Sequence, residues 1–215
     1  VPGCHGERIP VGCIDCILYG RITANKITGE ETMNSIIPGS LSAMARTNRM
    51  SIAQSFLNAE CIVLVDTSGS MDANDSSHGT RYECACDELA YLQGVYPGKL
   101  AVLSFSDDVT FCPSGTPTHY SSGTNLKKAL EFMHVADVPG MKFILISDGE
   151  PGDKEGAIKV AKTYQNKIDV IYVGPEDRPD GRDFLARLSK VTGGQVITSD
   201  RAKELSSSVT KLLRG

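Results

Sequence analysis

The sequence predicts an α/β fold: a doubly wound, mostly parallel sheet with helices on both faces and one antiparallel edge strand. A small cysteine-containing extension precedes it. Three observations lead there. From Glu60 onward, short apolar runs alternate with longer stretches of helical periodicity. Strands that alternate with helices imply crossovers and parallel pairing. Runs such as Cys61-Ile-Val-Leu-Val65 and Phe143-Ile-Leu-Ile146 are apolar at every position, as expected of strands covered on both faces. One pair of runs is separated only by Ser106-Asp107-Asp108, which suits a hairpin and makes one edge strand antiparallel.

Residues 1–38 form the extension. They hold three cysteines and many turn formers, with a short strand expected at 16–23 and a turn at Gly29-Glu30. Pro38-Gly39 marks a break. Residues 39–57 are the linking segment, and 40–57 read as one helix. Leu41, Met44, Ala45, Ile52, Ala53, Phe56 and Leu57 recur at roughly helical spacing, with Ser40 as cap. The α/β domain occupies 58–215. Its expected strands are 61–66, 99–105, 109–112, 141–147, 168–173 and 195–198. Its expected helices are 81–96, 125–134, 153–165, 182–192 and 201–213. No internal repeat or low-complexity tract interrupts this order.

At 215 residues the chain is long enough to bury a full-sized core. A net charge of −4 lacks the basic footprint that nucleic-acid binding needs. The longest apolar runs are far too short to span a bilayer, so no membrane insertion is expected. Residues 1–20 lack the basic start and apolar stretch of a secretory signal. The seven cysteines, at 4, 13, 16, 61, 84, 86 and 112, cannot all pair within the chain. Reduced thiols or thiolate ligands fit a cytoplasmic protein better than a secreted disulfide framework does.

The most informative segment is Asp66-Thr67-Ser68-Gly69-Ser70, directly after an apolar strand. A carboxylate and two hydroxyls stand at alternate positions of a tight turn and can aim at one point. Hard divalent cations take such oxygen ligands. In open parallel sheets, ligands bind beyond the carboxyl ends of the strands, and two further segments put oxygens there. Phe143-Ile-Leu-Ile-Ser147 runs into Asp148-Gly149-Glu150-Pro151, and Ser122-Gly123-Thr124-Asn125-Leu126 places a hydroxyl at a helix start. Asp66, Ser68, Ser70, Thr124 and Asp148 are therefore the expected metal ligands. Two carboxylates with neutral hydroxyls leave a divalent cation incompletely coordinated, and a water or an outside oxygen must complete the shell.

Taken together, Asp66-Thr-Ser-Gly-Ser70, Gly123-Thr124-Asn125-Leu126 and Ser147-Asp148-Gly149 resemble the metal-ion-dependent adhesion site of the von Willebrand factor A domain, over about residues 58–215. The resemblance implies a dinucleotide-fold-like (Rossmann-like) sheet. It implies that Ser68, Ser70 and Thr124 contact the ion through their hydroxyls, and that Asp66 and Asp148 bind it directly or through water. It further implies an interaction module rather than an enzyme, holding Mg²⁺ (or Mn²⁺ or Ca²⁺) that takes an Asp or Glu of a partner protein. Ser147 stands where threonine is common in that family.

Rival readings follow from the same residues. A metal-dependent hydrolase of the haloacid dehalogenase type needs a second carboxylate two residues after the first, and that position is Ser68. A serine nucleophile needs a base, and none of His5, His78, His119 and His134 stands in a recognisable setting. Asp72, Asn74, Ser76 and Glu83 fall at calcium-loop spacing, but Ser77 occupies the required glycine position. Cys13-Ile-Asp-Cys16 with Cys4 offers a second metal site. Its short turn suits half of a zinc site, with His5, Cys84 or Cys86 as fourth ligand. Free thiols, an iron–sulfur ligand set or a disulfide are the alternatives. A structural scaffold acting through these cysteines is the remaining function class. Cys61 and Cys112 are expected in the core.

Overall fold

A computed structural model of the chain describes residues 36–74, 79–174 and 179–198, all within the unit Asn34–Gly215. The expected strand at 16–23, the helix at 201–213 and the candidate ligands Cys4, Cys13 and Cys16 lie outside the described residues, as does the side chain of Cys84.

The element order is α1 (Leu41–Asn48), α2 (Ile52–Leu57), β1 (Cys61–Asp66), α3 (Arg81–Val95), β2 (Leu100–Phe105) and β3 (Val109–Phe111), followed by α4 (Leu126–Met133), β4 (Lys142–Ser147), α5 (Lys154–Ala161), β5 (Ile168–Tyr172), α6 (Pro179–Thr192) and β6 (Val196–Thr198). The six strands form one sheet in the order β3-β2-β1-β4-β5-β6. Only the β2–β3 pair is antiparallel, across the short Ser106–Asp108 turn foreseen for a hairpin. None of the described helices is long and apolar enough to cross a membrane.

Strand periodicity explains why the central strands are apolar throughout. Every residue of β1 is buried. Ile62 and Leu64 join one core, whereas Cys61, Val63 and Val65 join the other. Successive side chains point to opposite faces, so a strand covered on both sides has no position for a polar residue until its end. The first core takes Leu126, Ala129, Leu130 and Met133 of α4, together with residues of α5 and α6. Those four positions of α4 follow helical spacing and are all but inaccessible. Full burial of each Leu or Met stabilises by about 1.5–3 kcal/mol relative to exposure. The second core takes Ala85, Leu89 and Leu92 of α3.

The helix expected over 40–57 is two helices. Arg49 adopts the left-handed conformation at φ 55° and ends α1. Ser51 then starts α2 through a capping box, its hydroxyl accepting from the Gln54 N–H while Gln54 Oε1 accepts from the Ser51 N–H. The orphan donors of a new helix N-terminus are thereby satisfied, which makes a break cheaper than continuing through 49–51. Elsewhere α5 stops at Ala161, short of the expected 165, and α6 begins at Pro179 rather than 182. Proline is well suited to the first helical turn, where its missing N–H costs nothing.

The topology also creates a crevice. The chain leaves β1 through α3 to build β2 and β3 on one side, then returns through α4 to lay β4 on the other side of β1. Connections therefore diverge from the carboxyl ends of β1 and β4, and ligand sites form at such switch points.

Candidate functional site

β1 ends at Asp66, and the backbone turns at once into a short 3₁₀ segment, Gly69–Asp72. Asp66, Thr67 and Ser68 are buried. The turn is held from within. Asp66 Oδ1 accepts the Ser68 N–H at 2.9 Å, and the Thr67 hydroxyl donates to the Phe105 carbonyl at 3.0 Å. Ser68 Oγ and Ser70 Oγ lie 3.1 Å apart, so both hydroxyls face one spot.

β4 ends at Ser147, whose hydroxyl donates to Asp66 Oδ2 at 2.6 Å and accepts the Gly149 N–H at 3.0 Å. Asp148 follows, 4% exposed. The chain can turn there because Gly149 takes φ +85°, a region that disfavours side chains. A Cβ on Gly149 would stand 2.4 Å from the Gly181 carbonyl oxygen, so the start of α6 abuts the Asp148 turn.

The Thr124 segment is stitched to both of the others. The Ser121 N–H donates to the Thr67 carbonyl and the Gly69 N–H to the Ser122 carbonyl, each at 3.2 Å, and the Gly152 N–H donates to the Thr124 carbonyl at 3.3 Å. The β2–β3 hairpin supports it from below, with the Asn125 N–H on the Ser106 carbonyl at 2.7 Å and the Gly123 N–H on Asp107 Oδ2 at 3.2 Å. A Cβ on Gly123 would meet Asp107 Oδ1 at 2.4 Å, so a side chain there would have to push the Asp107 carboxylate aside. Ser121 stands at φ +46°, a strained conformation for a non-glycine residue, held by its hydroxyl on Asp72 Oδ2 at 2.7 Å. Three loops far apart in sequence thus share one strand-end crevice, and the five expected side chains stand on them.

The electrostatics are tense. Burial pushes the Asp66 carboxyl up to about 6. Hydrogen bonds from Ser147 and Ser68 oppose that rise, and the charge of Asp148 adds to it. Asp148 Oδ2 accepts from Arg81 Nη1 at 3.1 Å. Asp148 Oδ1 is buried and has no hydrogen-bond partner among the described residues, a costly state for a carboxylate oxygen. Among the described residues, no group of three or more His, Cys, Asp and Glu side chains gathers. A cation in this crevice would therefore draw on hydroxyls as well as carboxylates.

Two residues of the site lay beyond the reach of sequence reading. In the sequence Ser147 stands out only as a replacement for threonine, yet its hydroxyl orients Asp66. In the sequence Arg81 is only the first residue of an expected helix, and nothing local signals that it reaches Asp148, 67 residues away. Glu83, considered as a calcium-loop ligand, is instead committed to the N-terminus of α3, accepting the Thr80 N–H at 2.8 Å. Asp72, from the same loop, holds Ser121 and lies 2.9 Å from His119 Nε2. His134 Nε2 contacts the Thr163 carbonyl, away from the serines. Cys61 and Cys112 are buried as expected, and Cys86 is a free thiol on α3.

No protein-family model and no curated protein matches the chain. Solved structures do resemble it. An aerotolerance-related membrane protein from Bacteroides fragilis, carrying multiple mutations to serine, aligns with a TM-score of 0.57 and 17% identity over 73% of this chain and 98% of that one. The conserved hypothetical protein BatB from Bacteroides thetaiotaomicron aligns with a TM-score of 0.56 and 18% identity over 73% of this chain and 100% of that one. At these identities the likeness concerns the fold, which is the von Willebrand factor A-like, Rossmann-like arrangement expected from the sequence.

Proposed function

We propose that the chain is a protein-interaction module that holds a divalent cation, Mg²⁺ or alternatively Mn²⁺ or Ca²⁺, in the strand-end crevice and receives there the Asp or Glu side chain of a partner protein. The observation that carries this reading is Asp148 Oδ1, a buried carboxylate oxygen with no donor among the described residues, in the crevice that also gathers the Ser68 and Ser70 hydroxyls and Asp66. An all-oxygen set of carboxylates and hydroxyls suits hard cations. When bound, such an ion offers a carboxylate oxygen of the partner an electrophilic contact.

The chain's own residues do the rest. Asp66 and Asp148 supply the negative charge, and Ser68, Ser70 and Thr124 supply neutral oxygens. Ser147 holds Asp66 in place, and the Ser68 N–H fixes its other oxygen. The von Willebrand factor A-like fold supports an interaction role. A net charge of −4 fits a protein partner rather than a nucleic acid.

Titration calorimetry with Mg²⁺ tests the ion site. Binding is expected for the native chain and lost on Asp66→Ala. Equal binding by the two would remove the basis of the proposal. For the partner, association must disappear both on chelation and in Asp66→Ala, while Cys13→Ser and Cys16→Ser leave it intact. The reverse pattern would assign the function to the N-terminal cysteines.

A further inference from the structure

Arg81 stands at the start of α3, directly over the crevice. Its Nη1 donates to Asp148 Oδ2 at 3.1 Å and to the Ser70 carbonyl at 3.3 Å. Its side chain is only 11% exposed. One guanidinium thus bridges a carboxylate and the backbone of a hydroxyl-bearing residue, both assigned above to the ion. A guanidinium keeps its proton at any ordinary pH, so the crevice carries a permanent positive charge of its own.

We propose that Arg81 is a tethered counter-cation that sets the affinity of this site for divalent ions. The inference rests on the ion-binding reading of the crevice and extends it to a residue outside the ligand set. Without an ion, Arg81 neutralises Asp148 and limits the repulsion between Asp148 and Asp66. An incoming divalent ion meets a like charge beside Asp148, whose Oδ2 Arg81 already holds. Like charges close together inside a protein repel strongly, so Arg81 weakens ion binding while it stabilises the ion-free crevice. Asp148 Oδ1, which has no hydrogen-bond partner among the described residues, remains available to an ion throughout.

The test compares the full native chain with Arg81→Met and Arg81→Gln by Mg²⁺ calorimetry and by thermal melting in EDTA. Arg81→Met removes the charge and keeps the bulk of the stem, and Arg81→Gln also keeps an N–H donor. Both are expected to bind Mg²⁺ at least about tenfold more tightly than the native chain, because a repelling charge is gone. Arg81→Met should also melt several degrees lower in EDTA, since a buried carboxylate loses its partner. Should Arg81→Met fail to fold without the ion, Arg81→Gln carries the affinity comparison. Unchanged or weaker Mg²⁺ binding in a folded variant overturns the inference. If the native chain binds Mg²⁺ through Asp66 and the variants match it, only the role of Arg81 is lost. If neither the native chain nor the variants bind, the ion-site reading falls with it.

Discussion

Asp66→Asn in the ion-free protein is the most direct probe of the crevice's energetics. The native carboxyl is buried beside Asp148, and its pKa is raised from 3.8 to about 6. The folded state therefore keeps a proton that the unfolded chain releases between those values. The associated stability is fully present below pH 3.8 and is lost as the pH rises through 6. A shift of about two units corresponds to about 3 kcal/mol of destabilisation at pH 7.5 and about 1 kcal/mol at pH 4.5. Asparagine is uncharged at every pH. Its carbonyl can accept the Ser68 N–H, and its amide can donate to the Ser147 hydroxyl. In EDTA, Asp66→Asn should thus be more stable than the native chain by about 3 kcal/mol at pH 7.5, or about 6–12 °C in Tm for a chain of this size, and by only about 1 kcal/mol at pH 4.5. Denaturant melts of both proteins at the two pH values measure the difference, and groups common to both cancel. A difference that does not grow with pH would refute the argument that burial of an ionised Asp66 strains the ion-free crevice. Added Mg²⁺ should then favour the native chain, because only a state that binds the ion gains from it.

Other substitutions probe the supports around the crevice. Gly149→Ala forces a side chain into a positive φ and against the Gly181 carbonyl, and should cost at least about 2 kcal/mol in denaturant melts. Ser51→Ala removes the capping box of α2 and should cost about 1 kcal/mol without changing ion affinity, as calorimetry can check. Leu130→Ala leaves a cavity in the first core, where Leu130 is fully buried, and should cost about 2–5 kcal/mol. Burial pushes the Cys61 thiol up to about 12, so at pH 8 it stays protonated and should resist alkylation until denaturant is added, as peptide mapping by mass spectrometry can show.

Sequence and structure agree most closely where the signal is local. The apolar run of β1 followed by Asp66, and that of β4 followed by Asp148, could be read directly because both a strand's burial and the turn that ends it lie within a few neighbouring residues. The antiparallel β3 was legible for the same reason, since three residues cannot make a crossover. The break between α1 and α2 was legible too, in the capping-box spacing of Ser51 and Gln54, but the helical recurrence of Leu41 through Leu57 outweighed it.

The sequence alone determined the sheet's class, the three loops that reach its carboxyl edge and the oxygen-bearing side chains they carry. Tertiary structure alone decided what surrounds those oxygens: Ser147 bracing Asp66, Gly181 closing on Gly149, and Arg81 lying against Asp148. The reason is one of range. Periodicity and turn chemistry act between near neighbours in the chain. Charge, burial and close packing act between residues brought together only when the sheet orders its strands.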